Sequence, residues 1–383
     1  MKKRVRHIII LVSICLMNYN YSFGQVDTDI THSGVVLDSL TIGPEKLKDF
    51  KSTINGYPYV FYTPETEFAF GAGGIFVFYT AKDSTIYPSK IGFGGYYSTL
   101  KNYKFSLNPA MYFFGNDLYI RMPISYGFFV DRYWGAGDET AETGNEQYSR
   151  QDFSATFYLQ SPPIVFAADR SGLVIDYNST EIIDKMENSF LNDSLVTGSE
   201  GGSILGFGFD LTWEDRDNIF FPNSGGYQYF RFTLYPEGVS DYKFLDIELD
   251  VRQYWAFKPD HVIAANFYLN SISGDAPFYK QAALGGSKRM RGYFHGRYRD
   301  DFYAMLQMEY RQYFWRRFGF VVFGGLGNVS SEILAYNFGT MKYSYGAGLR
   351  FQFNEKQKIN LRMDIGFGQN GNRGIYFGIE EAF

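Results

Sequence analysis

The 383-residue sequence has one cysteine, Cys15, and it lies in a stretch expected to be removed. What remains holds no disulfide framework, no thiolate metal site and no cysteine nucleophile. Histidine is nearly as scarce, with only His32, His261 and His295 beyond the first 24 residues. No Gly-x-Ser-x-Gly elbow, Walker motif, dinucleotide fingerprint or metal-ligand spacing accompanies them, so neither an enzyme nor a cofactor is expected. Past residue 24 no apolar run approaches the ~18 residues of a membrane-spanning helix, which excludes a helical membrane protein. Positive charge is also short: the formal net charge is −5, and nucleic acid is not an expected partner.

The first residues set a compartment. Lys2, Lys3, Arg4 and Arg6 precede the apolar run from Ile8 to Met17, and Ser22 and Gly24 follow as small residues. This is the pattern of an export signal peptide, with cleavage placed before Gln25. Ile14 precedes Cys15, where lipoprotein processing needs a small side chain, so a lipid anchor is not expected. Loss of residues 1–24 removes four basic side chains and no acidic one, taking the formal charge from −5 to −9.

Aromatic side chains are abundant: 33 Tyr, 39 Phe and 4 Trp make up 20% of the chain, beside 41 Gly. A membrane barrel uses aromatics in two interfacial girdles while its lumen stays polar. The alternation agrees. Phe302, Ala304, Leu306, Met308 and Tyr310 share one face, against Gln307, Glu309 and Arg311 on the other. Leu245, Ile247, Leu249 and Val251 oppose Asp246, Glu248, Asp250 and Arg252; Leu361, Met363, Ile365 and Phe367 oppose Asn360, Arg362, Asp364 and Gly366. A β-sandwich alternates in the same way, but segments of about eleven to fifteen residues exceed the roughly 5–6 of globular strands and suit a tilted bilayer crossing. The expected fold is all-β, a transmembrane antiparallel barrel.

Fifteen strand segments are legible, near residues 65–80, 88–98, 103–114, 117–130, 149–160, 163–177, 201–213, 226–236, 241–256, 260–272, 301–314, 317–329, 340–353, 357–369 and 373–383. A barrel with both ends in the periplasm needs an even number: either Tyr57 to Tyr62 is the sixteenth, or a mis-split between residues 88 and 130 hides it. Short connections such as Lys258-Pro259-Asp260 alternate with long ones near 131–148, 178–200 and 273–300. The middle one, with Glu181, Asp184, Glu187 and Asp193, is expected as a solvated acidic loop.

Residues 274–311 carry the most specific pattern: Gly285-Gly286, Met290-Arg291-Gly292-Tyr293, Gly296-Arg297-Tyr298-Arg299-Asp300 and Glu309-Tyr310-Arg311. Upstream stands Trp213-Glu214-Asp215-Arg216-Asp217-Asn218, with Pro222 and Gly225. From about residue 200 to the end this resembles the outer-membrane assembly superfamily of BamA and TamA, the bacterial surface antigens. The resemblance implies sixteen strands, a long extracellular loop with its Arg-Gly-Tyr tip folded into the lumen, a periplasmic turn at 213–225 and an insertion signal ending on Phe383. It also implies protein or lipid insertion or translocation at the bacterial outer membrane, with lipid, lipopolysaccharide and barrel-assembly machinery or a periplasmic partner as associates. About 30 residues separate the cleavage site from the first strand, too few for a POTRA domain, so a POTRA-less member is expected. The division is 1–24 signal peptide, 25–55 short periplasmic segment and 56–383 barrel.

An arginine plugged into a lumen needs a carboxylate partner, and Glu309 and Asp364 fall on the lumen-facing parity of their strands. The alternative reading is a solvated basic loop of Lys288, Arg289, Arg291, Arg297 and Arg299 that binds lipopolysaccharide phosphates or nothing. Two departures from the family stand out. Phe323-Gly324-Gly325 replaces its Phe-x-Asp, and Glu381 shares the parity of Ile379 and Phe383, where a charge is tolerable only near the interface. The competing function is a passive pore or structural scaffold. Either way the protein should fractionate with the outer membrane, resist alkaline carbonate extraction and show heat-modifiable gel migration; recovery as a soluble periplasmic protein refutes the barrel.

Overall fold

The computed structural model describes residues 50–383 apart from 83–85, 142–145, 163–167, 188, 193–195 and 355–357. The expected signal peptide and most of the expected periplasmic segment lie outside the described residues. Nineteen strands follow in order: β1 (Thr53–Thr63), β2 (Glu67–Phe78), β3 (Ser89–Ser98), β4 (Tyr103–Phe113), β5 (Leu118–Arg121), β6 (Ile124–Tyr133), β7 (Glu146–Ser161), β8 (Arg170–Lys185), β9 (Gly201–Glu214), β10 (Ser224–Tyr235), β11 (Phe244–Lys258), β12 (His261–Gly274), β13 (Ala282–Leu284), β14 (Tyr298–Asp300), β15 (Phe302–Trp315), β16 (Phe318–Ser330), β17 (Lys342–Asn354), β18 (Ile359–Gly368) and β19 (Arg373–Ile379).

Seventeen of these join one antiparallel sheet that closes when β19 meets β1. β5 and β6 are a single stave, since Ala110 opposite Arg121 and Leu107 opposite Ile124 keep one register across Met122-Pro123, where the proline has no N–H to donate. The ring is therefore a closed sixteen-stranded barrel. The sixteenth strand is β1, at the position of the expected candidate. β13 and β14 form a separate hairpin inside the loop of residues 275–301, called here loop six.

The alternation of side chains creates an inside and an outside. Phe68, Phe70, Tyr97, Phe105, Leu306, Met308, Leu326, Leu349 and Met363 are exposed on the outer face, where lipid would meet them. Glu248, Asp250, Arg252, Gln307, Glu309, Arg311, Arg362 and Asp364 are buried on the inner one. At the strand ends that carry the short turns, Trp255, Phe257, Phe314, Trp315 and Phe318 form an exposed aromatic rim, as interfacial girdles do.

Two strand ends depart from the sequence reading. β8 runs to Lys185, so Glu181 and Asp184 belong to a strand, on which both stay exposed; Glu187 follows it in an exposed turn, and Asp193 lies outside the described residues. Pairing with β7 continues that far, and polar groups within the paired stretch satisfy one another: Arg150 pairs with Asp152, and Thr180 donates to Asp152 at 2.9 Å. The last strand stops at Ile379, because Glu380 takes φ +70° and turns the chain inward. Glu381 is consequently not on the outer parity of Ile379; it is buried in the lumen.

Closure is uneven around the ring. β1 is registered with β2 along its whole length, Thr53 opposite Val77 through Thr63 opposite Glu67, yet it meets β19 at one registered pair, Tyr62 opposite Phe377. Backbone groups on the free side of β1 below that pair lack a ladder partner. In hydrogen–deuterium exchange, alternate amides between Thr53 and Val60 should exchange at least about tenfold faster than interior amides of β15–β17. Equal protection contradicts a weak seam.

Candidate functional site

Loop six descends from β12 into the barrel, and its shape is set by glycines at positions other residues resist. Gly285 and Gly292 have φ +109° and +115°. A Cβ on Gly285 would lie 2.2 Å from the Phe294 carbonyl oxygen, and one on Gly292 would lie 2.6 Å from the Phe367 backbone carbon. The two limbs are laced together as Gly286 N–H donates to the Tyr293 carbonyl at 3.0 Å and Gly296 N–H to the Leu284 carbonyl at 3.0 Å. The tip then lies flat against β18. Gly366 leaves room for the Arg291 backbone and Gly368 for the Tyr293 ring, both of which a Cβ would strike below 3 Å.

At this tip the Arg291 guanidinium bridges two strands. Its Nη1 donates to Asp364 Oδ2 at 2.5 Å on β18 and its Nη2 to Glu309 Oε1 on β15, while the guanidinium carbon lies 3.6 Å from the centroid of the Phe323 ring on β16. Arg291 is 1% exposed. Charge-assisted bonds of this kind exceed neutral ones in strength, and the aromatic face adds a cation–π contact. Each carboxylate has a second arginine: Arg350 Nη1 donates to Asp364 Oδ1 at 2.5 Å, and Arg311 Nε donates to Glu309 Oε2 at 2.8 Å.

Neighbouring groups hold the loop to both strands of the seam. Gly292 N–H donates to the Tyr376 hydroxyl of β19 at 2.9 Å, and Tyr293 O–H donates to the Tyr343 carbonyl at 2.9 Å. On the other side His295 N–H donates to Glu65 Oε1 at 2.8 Å, in the turn between β1 and β2. Desolvation pulls the His295 imidazole down to about 4, and desolvation likewise raises the Glu65 carboxyl, against the hydrogen bond from His295. Higher up, Arg297 donates to Thr140 Oγ1 at 2.8 Å and to the Thr140 and Ala141 carbonyls, capping the loop with the segment after β6. Tyr298 packs edge-on against Tyr293, Arg299 donates to the Phe278 carbonyl at 3.1 Å, and Asp300 pairs with Ala282 in the hairpin. Arg297 and Arg299 are buried like Arg291, so a solvated basic loop does not describe this segment.

The periplasmic turn at 215–223 is equally tied down. Asp217 Oδ1 accepts from Asn223 N–H at 2.7 Å, Asn218 Oδ1 accepts from Phe220 and Phe221 N–H, and Arg216 pairs with Glu214. This turn delivers Phe221 into the mouth of the lumen, where it packs with Tyr254, Val262, Ala264 and Phe383. Phe383 thus stands inside the same mouth, the one expected on the periplasmic side. Between loop six and the wall from β3 to β11 a polar cavity of about 300 Å³ remains, lined by Lys104, Asp152, Tyr158, Tyr229 and Arg231 among others.

Residues 88–383 match the Omp85 superfamily domain. The chain belongs to the Omp85 superfamily. Among solved structures, this Omp85 barrel is similar to BamA from Haemophilus ducreyi lacking POTRA domains 1–3, at TM-score 0.60 and 14% identity over 86% of this chain and 70% of that one. It is similar to CdiB from Acinetobacter baumannii, at TM-score 0.53 and 10% identity over 86% and 59% of the two chains. CdiB from Escherichia coli gives 0.55 and 10%, over 85% and 62%. The chain therefore spans 59–70% of the length of these neighbours. A search of curated proteins gives no match.

The missing Phe-x-Asp of this Omp85 chain now has a physical account. Phe323 still supplies the aromatic face, Gly325 stands where the acid would be, and Asp364 and Glu309 supply the negative charge from flanking strands. Sequence reasoning missed Arg350, Tyr376 and Glu65, set Glu381 on the outer parity, and gave Arg311 no partner. Arg350 and Tyr376 have lumen parity that was readable, but nothing in a single sequence says which lumen charges meet.

Breaking one side of a buried pair typically costs about 3–5 kcal/mol. Arg291→Ala leaves Glu309 on Arg311 and Asp364 on Arg350, so loop docking should weaken toward the lower end of that range while the barrel stays folded. Asp364→Ala leaves Arg291, Arg350 and Arg362 crowded without their shared anion and should cost more. Limited proteolysis of loop six, with heat-modifiable migration as the folding control, checks both; parent-like protection in both variants removes the clamp.

Proposed function

We propose that this Omp85 barrel inserts or translocates proteins at the bacterial outer membrane by admitting a substrate strand at the β1–β19 seam, with loop six bracing the seam from inside. The observation that carries this is the closure through Tyr62 and Phe377 alone, beside a β1 edge whose lower half is free to template another strand. Loop six is built to hold such a seam without sealing it, since it reaches β19 through Tyr376 and the first hairpin through Glu65. The residues assigned to this role are Arg291, Gly292 and Tyr293 at the tip, Glu309 and Asp364 as the partners of Arg291, and Gly285, Gly286, Gly296, Arg297, Tyr298, Arg299 and Asp300 as the loop frame. Delivery of the client falls to barrel-assembly machinery or another periplasmic partner, and no chemical step is required.

A passive pore is the weaker reading, because loop six lies across the lumen that a wide pore would keep open. The two are separated by a Tyr62→Cys/Phe377→Cys variant. These side chains face each other across the seam at the ~4.5–5.5 Å Cβ spacing of cross-strand pairs, in a chain otherwise free of cysteine after Cys15. Oxidation should abolish activity, read as outer-membrane protein levels in cells depleted of the parent, and reduction should restore it. Full activity of the cross-linked protein would exclude a lateral route.

A further inference from the structure

The two carboxylates that hold Arg291 do not end the charge network. Arg350, which shares Asp364, donates from Nε to Glu381 Oε2 at 2.7 Å; Arg311, which shares Glu309, donates from Nη2 to the Phe383 carbonyl at 2.7 Å. Both acceptors lie in the short segment that follows β19. Asn360 fixes the same segment twice, accepting from Glu380 N–H on its carbonyl at 2.8 Å and donating to Glu381 Oε1 at 2.8 Å. The Phe383 ring sits with Phe221, Tyr254, Val262 and Ala264, and the Arg311 guanidinium lies 5.2 Å from its centroid.

Two relays thus run down the lumen, Arg291–Asp364–Arg350–Glu381 and Arg291–Glu309–Arg311–Phe383. They join a loop that enters from the extracellular side to a segment at the periplasmic mouth. That segment is also what leaves β1 unpaired. Continuing the register of Tyr62 opposite Phe377 would set Pro58 opposite Glu381, but the left-handed turn at Glu380 carries the chain inward instead.

We infer that Glu380–Phe383 is an internal latch on loop six, so that displacing this segment from the periplasmic mouth loosens the loop tip. The sign follows from the charges. With Glu381 seated, Arg350 divides its donors between two anions and Asp364 keeps an oxygen for Arg291. With Glu381 gone, Arg350 turns wholly to Asp364 and competes with Arg291, in a cluster where Arg291, Arg311, Arg350 and Arg362 already outnumber Glu309, Asp364 and Glu381. Coupling of this kind is reciprocal, so an undocked loop also frees the latch. Under the insertion reading, on which only this consequence rests, a strand entering along β1 from below would release loop six.

The test places a reporter cysteine at Ser287 in the full chain and follows its labelling by a membrane-impermeant maleimide in outer membranes. Glu381→Gln should speed labelling about tenfold, the scale of a typical coupling between sites. Phe383→Ala should act in the same direction, and Glu381→Asp should restore much of the protection. Adding Glu381→Gln to Arg291→Ala should change little beyond Arg291→Ala alone. In the reverse direction, Arg291→Ala should expose a reporter at Ala382. Parent-rate labelling at Ser287 in both Glu381→Gln and Phe383→Ala overturns the latch, and if one of these variants lacks heat-modifiable migration the other decides. No client is needed, so a failed insertion reading would show in the seam cross-link and leave this result standing.

Discussion

The Arg291 guanidinium sits where loop six has displaced bulk water, and an unpaired charge there would cost several kcal/mol. Much of the interior answers that constraint. Two strands supply carboxylates, a third supplies an aromatic face, and glycines on β18 let the loop backbone come close enough for the arginine to reach them. The anions are themselves buried, so each recruits a further arginine, and the network grows until it meets the segment after β19. A buried ion pair is a weak stabiliser compared with well-packed apolar side chains. What it supplies here is position: the loop tip has one seat, defined by partners on β15, β16 and β18.

That seat lies next to the weakest part of the wall. Most staves are zipped along nearly their whole length, whereas β1 and β19 meet at Tyr62 and Phe377. Closing a barrel removes the edges that make open sheets sticky, and this barrel keeps part of one. Loop six contacts both flanks of that edge through Tyr376 and Glu65, and its outer end is roofed by the segment after β6 through Arg297. An open edge and a firmly placed internal brace belong to one design, because the brace keeps the barrel's shape where strand pairing does not.

Period-two patterning carried far in this chain because lipid and lumen make opposite demands on alternate residues. It put Glu309 and Asp364 inside, and the glycine and arginine pattern of residues 285–300 marked loop six before any fold was known. Patterning fails where backbone direction changes. The parity drawn through Ile379, Glu381 and Phe383 assumed an extended strand, and the turn at Glu380 brings Glu381 and Phe383 into the lumen instead. It also fails toward strand ends such as that of β8, where pairing with β7 runs on to Lys185 through residues that carry no apolar alternation.

By itself the sequence determined the class of fold and the inward parity of Glu309 and Asp364, since these follow from local periodicity and residue type; the sixteenth strand and the charged loop tip came from the family resemblance. Only the tertiary structure decided which carboxylates Arg291 meets, that β1 and β19 close through one pair, and that the relays reach Glu381 and Phe383. Those depend on the stagger of strands as far apart in sequence as β1 and β19. A register shift alters every such meeting while leaving the alternation along each strand unchanged.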